Sequence, residues 1–93
     1  MKYVLDYTAK FKKQYKKVCK VNKKVKIEMK NIINILQFDL VFPEKYKNHK
    51  LHGKLSNLYE CHVKSDWLLI YEKDQDRLIL TLVKTGTHSE LFN

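Results

Sequence analysis

The sequence predicts an α+β fold, in which two N-terminal helices pack on one face of a four-stranded, mainly antiparallel sheet in the order β-α-α-β-β-β. Before Pro43 the apolar residues recur with helical spacing, whereas from Leu58 onward they alternate with polar residues as in a strand. Short turns at residues 65–66 and 74–76 join the alternating segments into an antiparallel meander. Because 93 residues suffice for only one core, we expect residues 1–93 to form a single domain.

The N-terminal half is predicted to contain one strand and two capped helices. Residues 3–7 are mostly aromatic or aliphatic and predict a strand, Thr8 can cap a helix after it, and Asn22 can cap a second helix. Each helix has one apolar face that we expect to contact the sheet, while the lysines between these positions face water. These faces carry Phe11, Tyr15, Val18 and Cys19 in the first helix, and Val25, Met29, Ile32, Ile33 and Leu36 in the second.

The C-terminal half is predicted to form the remaining three strands. Alternation over residues 58–64 turns Cys61 toward the helices and His62 toward the opposite face, which this layout leaves uncovered. The first strand then pairs at an edge of the meander, since its backbone groups need partners. Residues 39–57 show no periodicity and predict a long loop, and long loops retained in small domains often have a function.

The net charge of +9 indicates a polyanionic partner. Ten lysines and a single acid, Glu28, occupy residues 10–30, and such a surface attracts nucleic acid, the commonest polyanion in a cell. The alternative is the codon bias of an AT-rich genome, which explains the choice of lysine over arginine but not the excess of positive charge. The longest apolar run is residues 67–71 and no signal peptide is recognisable, so we expect a cytoplasmic protein without a membrane association.

Neither cysteine is predicted to bind a metal or to act as a nucleophile. Cys19 and Cys61 are too few for a disulfide scaffold and wrongly spaced for a structural zinc site. Cys61 and His62 are adjacent strand residues that point to opposite faces, so they cannot share one metal ion or form a cysteine–histidine pair. With only two glycines, the chain also lacks a glycine-rich phosphate loop, and we expect no metal and no other cofactor.

The histidines of the C-terminal half match the needs of metal-free RNA cleavage. A base takes the proton of a ribose 2′-hydroxyl as it attacks the neighbouring phosphate, and an acid protonates the departing 5′ oxygen. Histidine suits both roles because its free pKa is about 6.5. A lone histidine on a strand face is usually only a surface residue, but His62 is expected to have neighbours. These are His49 and His52 in the loop, Asp66 in the turn and His88 in the tail, with Lys47, Lys50 or Lys64 as phosphate ligands and Trp67 or Phe92 as stacking residues for a base.

Three motifs in the C-terminal half indicate a family. They are H-x-L-x-G at residues 49–53, C-H-V-x-x-D-W at residues 61–67 and G-T-H-S-x-L-F at residues 86–92. Together with the length of the chain and the order of its elements, they resemble the YafQ-type branch of the RelE/ParE toxin superfamily. The resemblance implies a toxin of a bacterial type II toxin–antitoxin pair, which cleaves mRNA, usually on the ribosome, and is neutralised by a tightly bound antitoxin.

The resemblance also implies roles for individual residues. The tail histidine, which is the principal general acid of the family, falls on His88. This chain departs from the family at Lys50 and His52, where a second imidazole could replace His49 or alter its protonation. The family's other catalytic positions correspond to His49, His62, Asp66 and Phe92, and Trp67 matches as well.

Charge and resemblance together predict the partners. We expect mRNA and ribosomal RNA to contact the lysine-bearing helices, and an acidic, partly disordered segment of a cognate antitoxin to fold over them. The protein is expected to be a monomer when free and a hetero-oligomer with the antitoxin. Two alternatives stay open: a non-catalytic RNA- or protein-binding module of the same fold, and a general nucleic-acid-binding domain. The superfamily's gyrase-directed toxins lack this histidine set, so His49, His62 and His88 together argue against that branch.

Overall fold

The computed structural model describes residues 1–53 and 57–92, and its elements follow the predicted order with short additions. No helix within these ranges is long and apolar enough to cross a membrane. The helices are α1 (Ala9–Val21), α2 (Lys23–Phe38) and α3 (His88–Phe92), and a 3₁₀ turn spans Glu44–Tyr46. The strands are β1 (Val4–Tyr7), β2 (His49–Lys50), β3 (Leu58–Lys64), β4 (Trp67–Asp74) and β5 (Ile79–Thr87).

The strands form one sheet in the order β1-β5-β4-β3-β2. The long strands β3, β4 and β5 pair antiparallel, as predicted, and β1 pairs with β5 in parallel, with Val4 opposite Ile79. The predicted number of four strands is too small by one, because β2 pairs with β3 inside the segment predicted to be a loop. A two-residue strand is too short to show alternation in the sequence. Residues 54–56 of that predicted loop lie outside the described residues.

Both helix caps predicted from the sequence are confirmed. The side chain of Thr8 accepts a hydrogen bond from the amide of Phe11 at 3.0 Å, and that of Asn22 accepts one from the amide of Val25 at 3.1 Å. Each contact satisfies one of the free amides in the first turn of its helix. The caps therefore define where α1 and α2 begin, and both helices lie against one face of the sheet.

The main core lies between α1, α2 and the sheet, and it contains the residues predicted for it. Tyr15, Cys19 and Ile33 are partly buried at its margin. Its buried members include Phe11 and Val18 from α1, Val25, Met29, Ile32 and Leu36 from α2, and Cys61, Val63, Leu69, Tyr71, Leu80 and Leu82 from the sheet.

The prediction that the opposite face of the sheet is uncovered is wrong, because a second, smaller apolar cluster lies there. Leu68 and Ile70 are fully buried on this face, and Leu91 of α3 packs against them. The physical reason is found in residues 67–71, where every position is apolar, so that alternation sends large side chains to both faces. α3 therefore covers part of this face, and His62 lies on the part that is left half-exposed.

Candidate active site

Three of the four histidines meet on the sheet face that points away from α1 and α2. His49 comes from β2, His62 from β3 and His88 from the first position of α3. The ring centroids of His62 and His88 are 6.3 Å apart. The Nε2 atoms of His49 and His62 lie 3.5 and 3.6 Å, respectively, from the same carboxylate oxygen, Oε1 of Glu60. The structure thus brings together histidines from three separate elements.

Glu60 is the central acid of this cluster, although the sequence alone does not single it out. Its side chain is only 6% exposed, and in the sheet it lies between His49 on β2 and Ile70 on β4. Strand alternation places it on the same face as His62, which is the one signal available in the sequence. The signal is weak, because an acid on a face predicted to be uncovered is ordinarily solvated. A buried carboxylate needs polar partners, and the two imidazoles lie within ion-pair distance of it.

The ring of His49 is held by contacts at both of its nitrogens. Nδ1 lies 2.8 Å from the carbonyl oxygen of Lys47, which can only accept a hydrogen bond, so Nδ1 carries a proton. Nε2 faces the carboxylate of Glu60, which accepts as well when it is ionised. The ring of His49 is therefore oriented by Lys47 on one side and by Glu60 on the other.

His88 and Asp66 form a second imidazole–carboxylate pair. Nδ1 of His88 lies 3.6 Å from Oδ1 of Asp66, and both side chains are more than half exposed. The ring centroid of Phe92, further along α3, lies 5.7 Å from that of His88. Lys84, which was not among the residues predicted from the sequence, also contacts α3. Its Nζ lies 5.2 Å from the Phe92 ring centroid and donates a hydrogen bond to the carbonyl of Leu91 at 3.1 Å. Lys84 thereby ties the end of α3 to β5.

The start of α3 is fixed by a reciprocal pair of hydrogen bonds between Thr87 and Glu90. The side chain of Thr87 accepts from the amide of Glu90 at 3.2 Å, and the carboxylate of Glu90 accepts from the amide of Thr87 at 2.9 Å. This arrangement is a capping box. The backbone hydrogen bond from Thr87 holds the pKa of Glu90 below its usual range. Because His88 lies between the two residues, the box fixes the backbone from which its side chain extends.

Two of the lysines predicted to bind phosphate lie with His62 in one groove of about 310 Å³, which we call the His62 groove. Lys50 lies elsewhere: it is opposite Tyr59 in the pairing of β2 with β3 and lines a separate groove with Glu72. Adjacent strand residues point to opposite faces, so Lys50 and His49 point apart. The His62 groove is lined by Glu28, Lys45, Tyr46, Lys47, His62, Val63, Lys64 and Ser65.

The structure does not bring Trp67 to the histidines. Its indole Nε1 donates to the hydroxyl of Thr85 at 2.8 Å, and its ring packs against the main core on the side of α1 and α2. The hydroxyl of Thr85 donates in turn to the carbonyl of Leu68 at 2.6 Å, and the backbone amide of Thr85 donates to the side chain of Gln14 at 2.9 Å. Trp67 is therefore part of a hydrogen-bonded network that joins β4, β5 and α1.

His52 and Cys61 take no part in the contacts of this cluster. His52 is exposed, and within the described ranges it makes no contact with the other histidines. Cys61 is fully buried in the main core, and burial raises the pKa of its thiol to about 12, so the thiol keeps its proton. In residues 1–53 and 57–92, no group of three or more histidine, cysteine, aspartate or glutamate side chains is placed to hold a metal ion.

Comparisons with known proteins point in one direction. A family described as "Bacterial toxin of type II toxin-antitoxin system, YafQ" matches residues 3–93. The mRNA interferase toxin YafQ of Escherichia coli strain K12 is 37% identical over 91 residues, which are 95% of this chain and 94% of that protein. The crystal structure of a metal-bound toxin from Helicobacter pylori aligns with a TM-score of 0.87, at 34% identity over 97% of this chain and 99% of that one. The E. coli DinJ–YafQ complex aligns with a TM-score of 0.85, at 30% identity over 98% and 99% of the two chains.

Proposed function

The chain belongs to the YafQ family of toxins from bacterial type II toxin–antitoxin systems and is an mRNA interferase, and we propose that it cleaves RNA by metal-independent acid–base catalysis on histidines. In the proposed step the ribose 2′ oxygen attacks the adjacent phosphorus, its proton passes to a base, and the bond to the 5′ oxygen breaks as an acid protonates that oxygen. The products are a 2′,3′-cyclic phosphate and a free 5′-hydroxyl. The proposal rests on one observation: the rings of His62 and His88 are 6.3 Å apart, and each has a carboxylate at one nitrogen.

His62 is the proposed base. Nε2 faces the Glu60 carboxylate, and a proton on this nitrogen makes that contact favourable and leaves the lone pair on Nδ1. Among the described residues no hydrogen bond occupies Nδ1, so it is open to the proton of the 2′-hydroxyl. Once His62 has gained that proton, the negative charge of Glu60 stabilises the resulting imidazolium, as the acid of a catalytic triad does.

His88 is the proposed acid. Asp66 lies at Nδ1 of its ring, which leaves Nε2 to donate to the departing 5′ oxygen. The ring of Phe92 lies beside that of His88 and offers an aromatic surface on which an unpaired base can stack. The exposure of His88 and Asp66 suits a site that must accept a long substrate from solvent.

Positive charge near the two proton-transfer groups stabilises the phosphorane in the proposed mechanism. His49 lies beside the same carboxylate as His62 and is the proposed third histidine of the site. Lys47 and Lys64 line the His62 groove and can pair with the phosphates on either side of the scissile bond. Such charges act most strongly on the transition state, where the phosphate carries its largest negative charge.

The proposed partners follow from the charge and from the relatives. We infer that the mRNA is cut on the ribosome, in the cytoplasm, and that the lysines of α1 and α2 contact ribosomal RNA as well as the message. The E. coli relative forms a complex with DinJ, which supports a cognate antitoxin for this chain. A net charge of +9 favours an acidic antitoxin segment, whose association should weaken as salt is added.

Primer extension on mRNA isolated after induction tests the proposal. The wild-type chain should produce new 5′ ends, whereas His88→Ala and His62→Ala should produce few or none while still folding. New 5′ ends at wild-type frequency from a folded His88→Ala variant would remove His88 from the mechanism. If the wild-type chain binds RNA but yields no new ends, it is a non-catalytic binding module of the same fold.

A further inference from the structure

The His62 groove contains an acid that the proposed cleavage does not use. Its walls come from α2, the 3₁₀ turn and the end of β3, and they bring Glu28 into the same groove as His62. Glu28 is the single acid among the ten lysines of residues 10–30. Its partners there are Tyr46 and Lys45 of the 3₁₀ turn.

The charges of this groove suit a ligand that is an anion at one end and a hydrogen-bond donor at the other. Lys45, Lys47 and Lys64 attract phosphate, whereas the carboxylate of Glu28 repels it. A groove that bound phosphate alone would be weakened by this acid. A nucleotide resolves the conflict, since its phosphates are anionic and its base carries N–H donors.

Glu28 is held in place as a fixed acceptor. One of its oxygens, Oε2, accepts a hydrogen bond from the hydroxyl of Tyr46 and lies 3.8 Å from Nζ of Lys45. The side chain is only 23% exposed. Burial and this hydrogen bond raise the pKa of Tyr46, so the phenol stays protonated and continues to donate. Among the described residues no hydrogen bond occupies the second oxygen, Oε1.

We propose that the His62 groove binds a nucleotide that flanks the scissile phosphate and that Glu28 selects its base through an exocyclic amine. The proposal rests on RNA cleavage at His62 and His88. An ionised carboxylate can only accept hydrogen bonds, and adenine, cytosine and guanine each present an amino group to it. Uracil presents one N–H between two carbonyl oxygens, which the carboxylate repels. The groove therefore favours adenine, cytosine or guanine over uracil at one position beside the cut.

Sequencing of the 5′ ends of mRNA fragments after induction tests this selection, with uncut RNA as the composition reference. In cuts by the wild-type chain, uracil should be depleted about fivefold or more at one position beside the cut. A depletion of about fivefold is the smallest discrimination between bases that one good side-chain contact to a base supplies. Glu28→Gln should flatten this preference, because an amide can donate to the uracil carbonyls as well as accept. Glu44→Gln, a neighbouring exposed acid outside the groove, should leave the depletion as it is.

Tyr46→Phe provides a second variant if Glu28→Gln gives too few cuts to count. It keeps the buried ring but loses the hydroxyl that holds Glu28, so uracil depletion should weaken. Base frequencies that match the uncut RNA in the wild type, or an unchanged depletion in both variants, would overturn the role of Glu28 while cleavage itself stands. A wild-type chain that makes no cuts at all would instead contradict the proposed function.

Discussion

Nε2 of His62 lies 3.6 Å from Oε1 of Glu60, an acid on β3 whose side chain is almost completely buried. The strands β2 and β4 flank Glu60 on either side. The same oxygen lies 3.5 Å from Nε2 of His49. One carboxylate thus lies beside two imidazoles. In the proposed mechanism their roles differ, because Nδ1 of His49 contacts the carbonyl of Lys47, whereas among the described residues no hydrogen bond occupies Nδ1 of His62.

Glu60→Gln should slow cleavage without changing the fold. The amide has the shape of the acid but lacks the charge that stabilises the imidazolium of His62, so kcat should fall about 10-fold or more, short of the roughly 10²–10⁴-fold that a whole proton-transfer group contributes. KM should change little, since Glu60 is buried and does not meet RNA. Glu72→Gln, an exposed acid on β4, is the matched control. Loss of activity that tracks loss of thermal stability would point to a structural role instead.

His88→Ala should abolish most cleavage and leave stability close to that of the wild type. The side chain is 57% exposed and contributes little burial, so its removal should cost the proton transfer, about 10²–10⁴-fold in rate, but not the fold. His52→Ala is the comparison, because His52 is an exposed histidine away from the cluster. Rates should be measured on a defined mRNA together with circular dichroism melts. Equal loss of activity in both variants would contradict this assignment.

Trp67→Phe should lower stability more than RNA affinity. The phenyl ring retains only part of the packing and removes the N–H donor to Thr85, and the lost hydrogen bond alone costs about 1 kcal/mol. For a domain of this size that corresponds to a Tm lower by roughly 4–8 °C. RNA affinity should stay near the wild-type value. An unchanged Tm with a clear rise in KM would instead support direct stacking of Trp67 on a base.

Lys47→Ala and Lys64→Ala should each weaken RNA binding, whereas Lys50→Ala should not. The first two lysines line the His62 groove, and Lys50 lies on the other side of β2. An exposed charge contact of about 1 kcal/mol corresponds to roughly a fivefold rise in KM. The rise should disappear at high salt, where surface charges are screened. Equal effects of all three substitutions would show that only total charge matters.

Stability should fall as the pH rises above about 9, because buried acidic groups keep their protons only in the folded chain. Burial raises the pKa of Cys61 from 9.0 to about 12, that of Tyr15 from 10.0 to about 12, and that of Tyr71 well above 10.0. In the unfolded chain these groups ionise from pH 9.0 upward, so alkali favours the unfolded state. Urea midpoints across this range test the effect. Tyr15→Phe should reduce the loss, and a flat profile would contradict it.

The helical half of the fold is predictable because its signals are local. Thr8 and Asn22 are capping residues next to apolar positions with helical spacing, and both cap the helices in the structure. The direction of His62 is predictable for a similar reason, since its neighbour Cys61 belongs to an apolar set on the other face of β3. In each case the pattern needs only residues within one element.

The rest of the site depends on contacts between distant segments. Glu60 is buried because β2 and β4 flank it, and β2 is too short to be recognised from the sequence. Residues 67–71 are all apolar, so their pattern does not show which face of the sheet Trp67 points to. In the structure its ring is held by the hydrogen bond to Thr85, which is 18 positions away. Sequence spacing can therefore identify the histidines but cannot show which carboxylate lies beside them.

The hydrogen bond from the hydroxyl of Thr8 to the carbonyl of Val83 spans 75 positions, and it joins the end of β1 to β5. β5 lies between β1 and β4, so β1 is joined to the rest of the sheet only through this strand. Contacts of such high sequence separation form late in folding, after the local helices. His88 follows β5 directly along the chain. The position of His88 beside His62 is therefore set only after the long-range pairing of β5 has formed.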